Sequence, residues 1–375
     1  MRIAILTLRF HTNFGGILQA YALQTVLERM GHQVTVLDKV RKKPQVDIPC
    51  IVKIKRAILK YILFQHIPDS PQIFAYKIEC AQNKNTWTFV DKYLHRRGIN
   101  NYSEIKETDY DAFVVGSDQV WRPKYFAGNT PSNPTIANAF LAFTNGWNIK
   151  RIVYAASFGT EENEYTNEEL NECRDLIKNF DAVSVRETSG KKMCEEYFGV
   201  NAKHVLDPTF LLQKTDYNKL CTKRKVRNRG QILVYILDDT EEKQRLVTNI
   251  SSILDKKTFK VNADVDNSSA PLKKRIQYPV EQWLAGFRDA DYVITDSFHA
   301  CVFSIIYGKP FIVYGNKERG LSRLISLLST LNLEDRLILS FSDFDFNKMT
   351  SSIEIAQKKL ELLREESFNF LRTAL

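Results

Sequence analysis

Residues 291–314, DYVITDSFHACVFSIIYGKPFIVY, decide the fold. Tyr292–Thr295 and Phe311–Tyr314 are short β-branched and aromatic runs of the kind that make buried strands. Between them Ala300–Tyr307 is apolar almost all round, as a helix packed on a parallel sheet is, and Gly308 with Pro310 supplies its stop. The polar residues Asp296, Ser297 and His299 therefore stand at the carboxyl end of a strand and the amino end of a helix. Open α/β sheets bind ligands at that edge, and the free N–H groups and positive dipole end of a helix favour an anion. An imidazole placed there suits phosphate or carboxylate chemistry. The plainer alternative is that Asp296 or Ser297 only caps the helix and His299 is a satisfied core histidine.

The same alternation extends in both directions. Ile3–Leu8 reads as a strand, His11–Gly16 as a polar loop, Ile17–Met30 as a helix ended by Gly31, and Val34–Asp38 as the next strand. A less regular helical region covers residues 51–95. Ala112–Val115, Ile152–Ala156, Ala182–Val185 and His204–Leu206 are further apolar strands, each ending in polar or small residues. A basic run at 223–229 breaks the pattern before a fresh strand, Ile232–Ile236. A helix over 241–254, a strand near Phe259–Val261, a helix over 281–288 and amphipathic helices over 319–330 and 352–373 complete the chain. Strand-then-helix alternation argues for parallel sheets covered on both faces. The expected class is α/β: two Rossmann-like domains facing a cleft, residues 1–222 and 230–350, with 351–375 a helix able to return to the first.

The chain has 375 residues, 44% of them hydrophobic and 26% charged, which suits a well-cored globular protein and excludes a disordered one. A formal net charge of +9 favours anionic partners, but the basic residues are dispersed and nucleic acid is not expected. The six cysteines lack metal or disulfide-framework spacing, and the N-terminal apolar run is too short for a signal peptide. No stretch reaches the ~18–20 apolar residues of a spanning helix. The expected location is cytoplasmic. Within residues 41–60, Lys53, Arg56 and Lys60 share one helical face and Ile51, Ile54 and Ile58 another. That pattern opens peripheral binding to an anionic membrane surface on its inner face, against the plainer alternative of a solvated basic face.

Several turns at strand ends carry polar side chains. Asn13, Gly15 and Gly16 lead into a helix without the spacing of a dinucleotide loop, and read as a tight turn on the acceptor side of the cleft. Asp118, in Gly116-Ser-Asp-Gln-Val-Trp121, is either an acid or base in the cleft or a cap. Trp121 stacks on a sugar or fills the core. Arg186 binds a carboxylate or phosphate, or else pairs with Glu187. Arg319 lies nearest the end of strand 311–314 and on the edge of His299, whereas Arg323, a turn further, covers the surface. No HxH, HExxH, paired-Cys or GxSxG pattern is present, so the expected site works without a metal.

The segments Asn13–Leu23, Gly116–Trp121, Ser184–Glu187, Asp207-Pro-Thr209 and Thr295–Ala300 are weak singly, but their order and spacing resemble the polysaccharide pyruvyl transferases, from about residue 3 to about 336. The resemblance implies a glycosyltransferase-B-like fold, phosphoenolpyruvate as donor, and a sugar diol of a bacterial-type surface polysaccharide precursor, including a lipid-linked one, as acceptor. It implies a pyruvate ketal as product and no cofactor. On this resemblance His299 and Asp118 are catalytic, with interchangeable proton-transfer roles. It also makes Arg186 and His299 donor-binding, while sequence position alone adds Ser297 and Arg319 on the donor side and Asn13, Gly15, Gly16 and Trp121 on the acceptor side. Some relatives have arginine two residues before the motif histidine, where this chain has Ser297; Arg319, or else Lys309, would replace that cation. A nucleotide-sugar glycosyltransferase on the same fold and a non-catalytic glycan-binding subunit remain as alternatives.

Overall fold

A computed structural model describes residues 1–40, 43–44, 52, 70–127, 135–223, 229–316 and 320–375. The first domain is a seven-stranded parallel sheet of β1 (Arg2–Leu6), β2 (Gln33–Lys39), β3 (Arg96–Ile99), β4 (Ala112–Val115), β5 (Lys150–Ala156), β6 (Ala182–Val185) and β7 (Lys203–His204), in the order β3-β2-β1-β4-β5-β6-β7. The second is a five-stranded parallel sheet of β8 (Ile232–Tyr235), β9 (Thr258–Phe259), β10 (Tyr292–Thr295), β11 (Phe311–Tyr314) and β12 (Leu337–Ile338), in the order β12-β11-β10-β8-β9. Every residue of β4, β8, β10 and β11 is buried, as a parallel sheet covered on both faces demands. Each sheet reverses its strand order once, between β1 and β4 and between β8 and β10. At such points the loops leave in opposite directions and open a crevice at the carboxyl edge.

Two elements differ from the sequence expectation for identifiable reasons. Strand β3 is Arg-Arg-Gly-Ile, too polar to read as a strand. It lies at a sheet edge, where Arg96 pairs with Asp38 and Asp91, and Arg97 with Asp109. Helix α1 (Phe14–Arg29) begins three residues earlier than the apolar period suggests, because Asn13 caps it: its side-chain oxygen accepts from the N–H groups of Gly15 (3.0 Å) and Gly16 (3.3 Å). Both glycines thus belong to the first helical turn, not to a loop.

The domains share one apolar cluster. Phe14 of α1 stacks on Trp283 at 5.3 Å and meets Tyr235 of β8 at 6.4 Å between ring centroids. The last helix (Ile353–Ala374) touches both sides. Its Gln357 Nε2 donates to the Ile305 carbonyl of the second domain at 2.9 Å, while Arg364 Nε donates to the Phe210 carbonyl of the first at 2.6 Å. Ser367 Oγ accepts from Leu206 N at 3.0 Å, and Lys150 Nζ donates to the Leu375 carbonyl at 2.9 Å. Among the described residues no helix is long and apolar enough to cross a membrane. The basic amphipathic face over Lys53, Arg56 and Lys60 lies outside the described residues.

Leu371 is fully buried, whereas Leu362 on the same helix is 70% exposed. Leu371→Ala should cost about 2–5 kcal/mol of unfolding free energy in urea titrations, and Leu362→Ala less than ~0.5 kcal/mol. Equal losses would mean that this helix does not pack as described.

Candidate active site

The carboxyl edges of the two sheets meet at a buried cluster of charge. After β4 the chain turns at Gly116, whose φ of 136° suits glycine and whose Cβ, if it had one, would stand 2.0 Å from the Tyr154 carbonyl oxygen. This turn delivers Asp118, itself in the left-handed region at φ 62°. Asp118 Oδ1 accepts from Arg186 Nη2 at 2.9 Å, just beyond β6. Arg186 Nη1 donates to Asp207 Oδ2 at 2.6 Å, and Arg186 Nε lies 3.8 Å from Glu187 Oε2. Asp207 follows β7, and its Oδ1 accepts from Thr209 N (3.0 Å) and Thr209 Oγ1 (2.7 Å). From the second domain, His299 turns Nε2 toward Asp207 Oδ2 at 3.6 Å.

His299 lies in the first turn of the helix Phe298–Tyr307, whose leading N–H groups open toward the cleft behind Ser297. The start of α1 closes over the ring from the other side. A Cβ on Gly15 would sit 2.0 Å from His299 Nδ1 and 2.2 Å from Cγ, so glycine is required for this approach. A Cβ on Gly16 would be 3.4 Å from Asp118 Oδ2.

The electrostatics follow from this packing. Burial alone would raise the Asp118 carboxyl, but Arg186, His299 and Arg323 outweigh it and hold it below the usual carboxylate range. Asp207 is likewise penalised by burial and pulled down further by His299 and Arg186. Burial works against the charge on Arg186, yet Asp118, Asp207 and Glu187 keep it above its ordinary value. Burial, then the like charge of Arg186, pushes Arg323 down to about 10. Both aspartates are therefore firmly ionised, and Asp118 is a hydrogen-bond acceptor more than a strong base.

His299, Asp118 and Arg186 do come together, but four sequence expectations need correction. Arg186 is not a group open to a donor: its side chain has no exposed surface and its Nη1 and Nη2 are engaged by Asp207 and Asp118. As placed, it positions those carboxylates. Trp121 does not face an acceptor; it is fully buried, stacks on Phe140 at 4.8 Å, and donates Nε1–H to the Ala139 carbonyl. Lys309 precedes β11 at the far end of the helix Phe298–Tyr307, about 15 Å along the axis from His299, so it does not replace the missing cation. Arg323 does not cover the surface; it is 6% exposed with its guanidinium 5.4 Å from the Phe298 ring, which Arg186 also contacts at 4.7 Å. Arg319 lies outside the described residues.

Asn13 is exposed beside the cleft and caps α1, and Ser297 is half-buried and makes no side-chain cap. Asp296 holds the loop after β8, accepting from Leu237 N (2.7 Å), Asp238 N (3.0 Å) and Lys243 Nζ (2.7 Å). Sequence reasoning did not assign Asp207 a site role, although Asp-Pro-Thr after a strand was the available signal. It also passed over His11, an exposed residue of the loop between β1 and α1. Among the described residues no group of three or more His, Cys, Asp or Glu side chains is placed to hold a metal ion.

Two parallel α/β domains meeting at their carboxyl edges, with a last helix that bridges back to the first, define a glycosyltransferase-B-like fold. The polysaccharide pyruvyl transferase family model matches residues 13–318, and the chain belongs to that family. Comparison with curated proteins gives no match. Among solved structures, an alpha-glucosyltransferase in complex with UDP is 10% identical over 99% of this chain and 95% of its own, with a TM-score of 0.47. The UDP-GlcNAc 2-epimerase from Neisseria meningitidis bound to UDP-GlcNAc is 9% identical over 100% of this chain and 94% of its own, with a TM-score of 0.45.

Breaking the buried network should leave an uncompensated charge. Asp207→Asn is expected to lower stability at pH 7 by ~3–5 kcal/mol. Because the folded Asp207 carboxyl is depressed, its stabilisation is full above the unfolded value of about 4 and is lost as pH falls toward the folded value. Urea midpoints of wild type and Asp207→Asn should therefore converge as pH drops below about 4. A constant gap across pH would show that ionised Asp207 is not what the substitution removes.

Proposed function

We propose that the protein transfers the enolpyruvyl group of phosphoenolpyruvate to two hydroxyls of a sugar in a bacterial-type surface polysaccharide precursor, forming a pyruvate ketal and releasing phosphate. The observation that carries this reading is the meeting of His299, at a helix N-terminus of one domain, with Asp207 and Asp118 of the other, in a chain of the pyruvyl transferase family. That edge supplies N–H donors for an anionic group, a proton-carrying ring and an ionised acceptor, without a further cofactor.

The chemistry balances with those groups. A proton from His299 is added to the methylene carbon of the donor, leaving positive charge at C2. The first acceptor hydroxyl attacks C2 and gives up its proton. The C2–O bond to phosphate breaks, and the second hydroxyl closes the ketal. Of the two hydroxyl protons, one restores the proton placed on the new methyl group and the other leaves with phosphate. Asp207 faces Nε2 at 3.6 Å and Gly15 packs against Nδ1, so the ring is held between the two domains during the steps. Asp118 orients an acceptor hydroxyl by accepting its hydrogen bond, in keeping with its depressed pKa.

A second reading, a nucleotide-sugar glycosyltransferase, keeps one specific observation. A cavity of about 450 Å³ at the carboxyl edge of the second sheet is lined by Asp238, Glu241, Glu242, Tyr314 and Asn316, and an acidic residue there suits a ribose. Incubation of a defined glycan acceptor with phosphoenolpyruvate should add the mass of one pyruvate ketal and release one phosphate. His299→Ala and Gly15→Ala, the latter by displacing the ring, should each cut this turnover at least ~100-fold. A product formed only from a nucleotide sugar would overturn the pyruvyl reading in favour of the second.

A further inference from the structure

The approach of α1 to His299 has little tolerance, since a Cβ on Gly15 would overlap the ring. A segment of the second domain, residues 277–283, grips the entry of α1 at two points. Gln277 Nε2 donates to the Thr12 carbonyl at 3.2 Å. Trp283, on the helix Val280–Asp289, stacks on Phe14 at 5.3 Å between ring centroids. Thr12 and Phe14 flank Asn13, the cap of α1, so both contacts bear on the turn that carries Gly15. Trp283 also meets Phe303 edge-on at 5.0 Å, and Phe303 lies one turn beyond His299 on the same face of its helix. The contacts close a ring: Gln277 and Trp283 hold α1, α1 covers the imidazole, and the helix of the imidazole returns to Trp283.

The two grips differ in kind. Aromatic burial at Trp283 holds the surfaces together but is not directional, whereas a hydrogen bond fixes both distance and angle. Gln277 is 5% exposed and engaged at every polar atom. Its Oε1 accepts from Ala263 N at 3.1 Å and Tyr278 N at 3.0 Å, both in its own domain. Its backbone N donates to the Gln82 carbonyl at 3.0 Å, and its carbonyl accepts from Asn85 Nδ2 at 2.7 Å, both in the first domain. The amide is planar, so two N–H groups on Oε1 fix where Nε2 points.

We propose that Gln277 is a positioning residue for His299, seating the start of α1 against the imidazole from the second domain. Gln277 acts through Thr12 and Gly15, on how closely α1 covers one edge of the ring. Misplacing a reacting group by about 1 Å costs on the order of a hundredfold in rate, so this bond weighs more on turnover than on stability. The placement stands apart from the pyruvyl-transfer reading, and only its consequence for turnover rests on that reading.

Nitrogen-15 NMR of the ligand-free full chain tests it, with His299 assigned by its loss in His299→Gln. Gln277→Met removes the whole amide. Gln277→Glu, in mildly alkaline buffer where the carboxylate is ionised, keeps the acceptor for Ala263 and Tyr278 and removes only the donor to Thr12. Gln82→Met is the matched control, because Gln82 Nε2 donates across the same seam to the Val265 carbonyl at 2.8 Å without involving α1. The His299 ring resonances should move in both Gln277 variants and stay at their wild-type positions in Gln82→Met. With phosphoenolpyruvate and a defined glycan acceptor, kcat should fall about tenfold or more in Gln277→Glu, with the KM for phosphoenolpyruvate within about threefold of wild type. Unmoved His299 resonances in a folded Gln277 variant, or equal movement in Gln82→Met, overturn the proposal. Rapid exchange of the Gln277 side-chain amide protons in wild type overturns it without any variant. A kcat within about twofold of wild type despite moved resonances overturns its part in turnover. A wild-type protein that makes no pyruvylated product overturns the reading of the reaction instead, and leaves the resonance test standing.

Discussion

The carboxylate of Asp207 is shared between the two domains: one oxygen meets Arg186 of its own domain at 2.6 Å and faces His299 of the other at 3.6 Å. Both partners are buried, so neither can fall back on water, and the arrangement holds only while all three are present. Arg186 in turn fixes Asp118. One guanidinium thus sets two carboxylates, and one of these sets the orientation of the imidazole. The glycine at position 15 then lets α1 close on the ring from the opposite side.

Among the described residues, the carboxylates of Asp118, Asp207 and Glu187 surround the Arg186 guanidinium. Arg186 appears in the sequence as a donor ligand because a lone arginine at a strand end looks available. Its neighbours in space, not in sequence, consume its hydrogen bonds.

The opening motif and its neighbours made most of the fold legible. Strands Ala112–Val115, Ala182–Val185, Tyr292–Thr295 and Phe311–Tyr314 coincide with the expected runs, because parallel strands that are buried throughout, or over their second half as in β6, are written as short continuous apolar words. Strand β3 was illegible because an edge strand can be polar, and the true start of α1 because a capping asparagine overrides apolar periodicity. At the site, a residue's place at a strand end could be read, but its partner could not. Trp121 and Asp118 share one turn, yet one points into the core and the other into the cluster. Arg323 lies near the start of a helix, where spacing alone suggests solvent, yet it is buried over the Phe298 ring.

Asp207 holds His299 with Nε2 inward, and the start of α1 lies against Nδ1. Nitrogen-15 NMR of the histidine rings, with His299 assigned by its loss in His299→Gln, reads that directly at a pH where the ring is neutral. The expected spectrum shows protonated Nε2 and unprotonated Nδ1, with the preference lost in Asp207→Asn. A ring protonated at Nδ1, or one whose tautomer is indifferent to Asp207→Asn, would contradict the account.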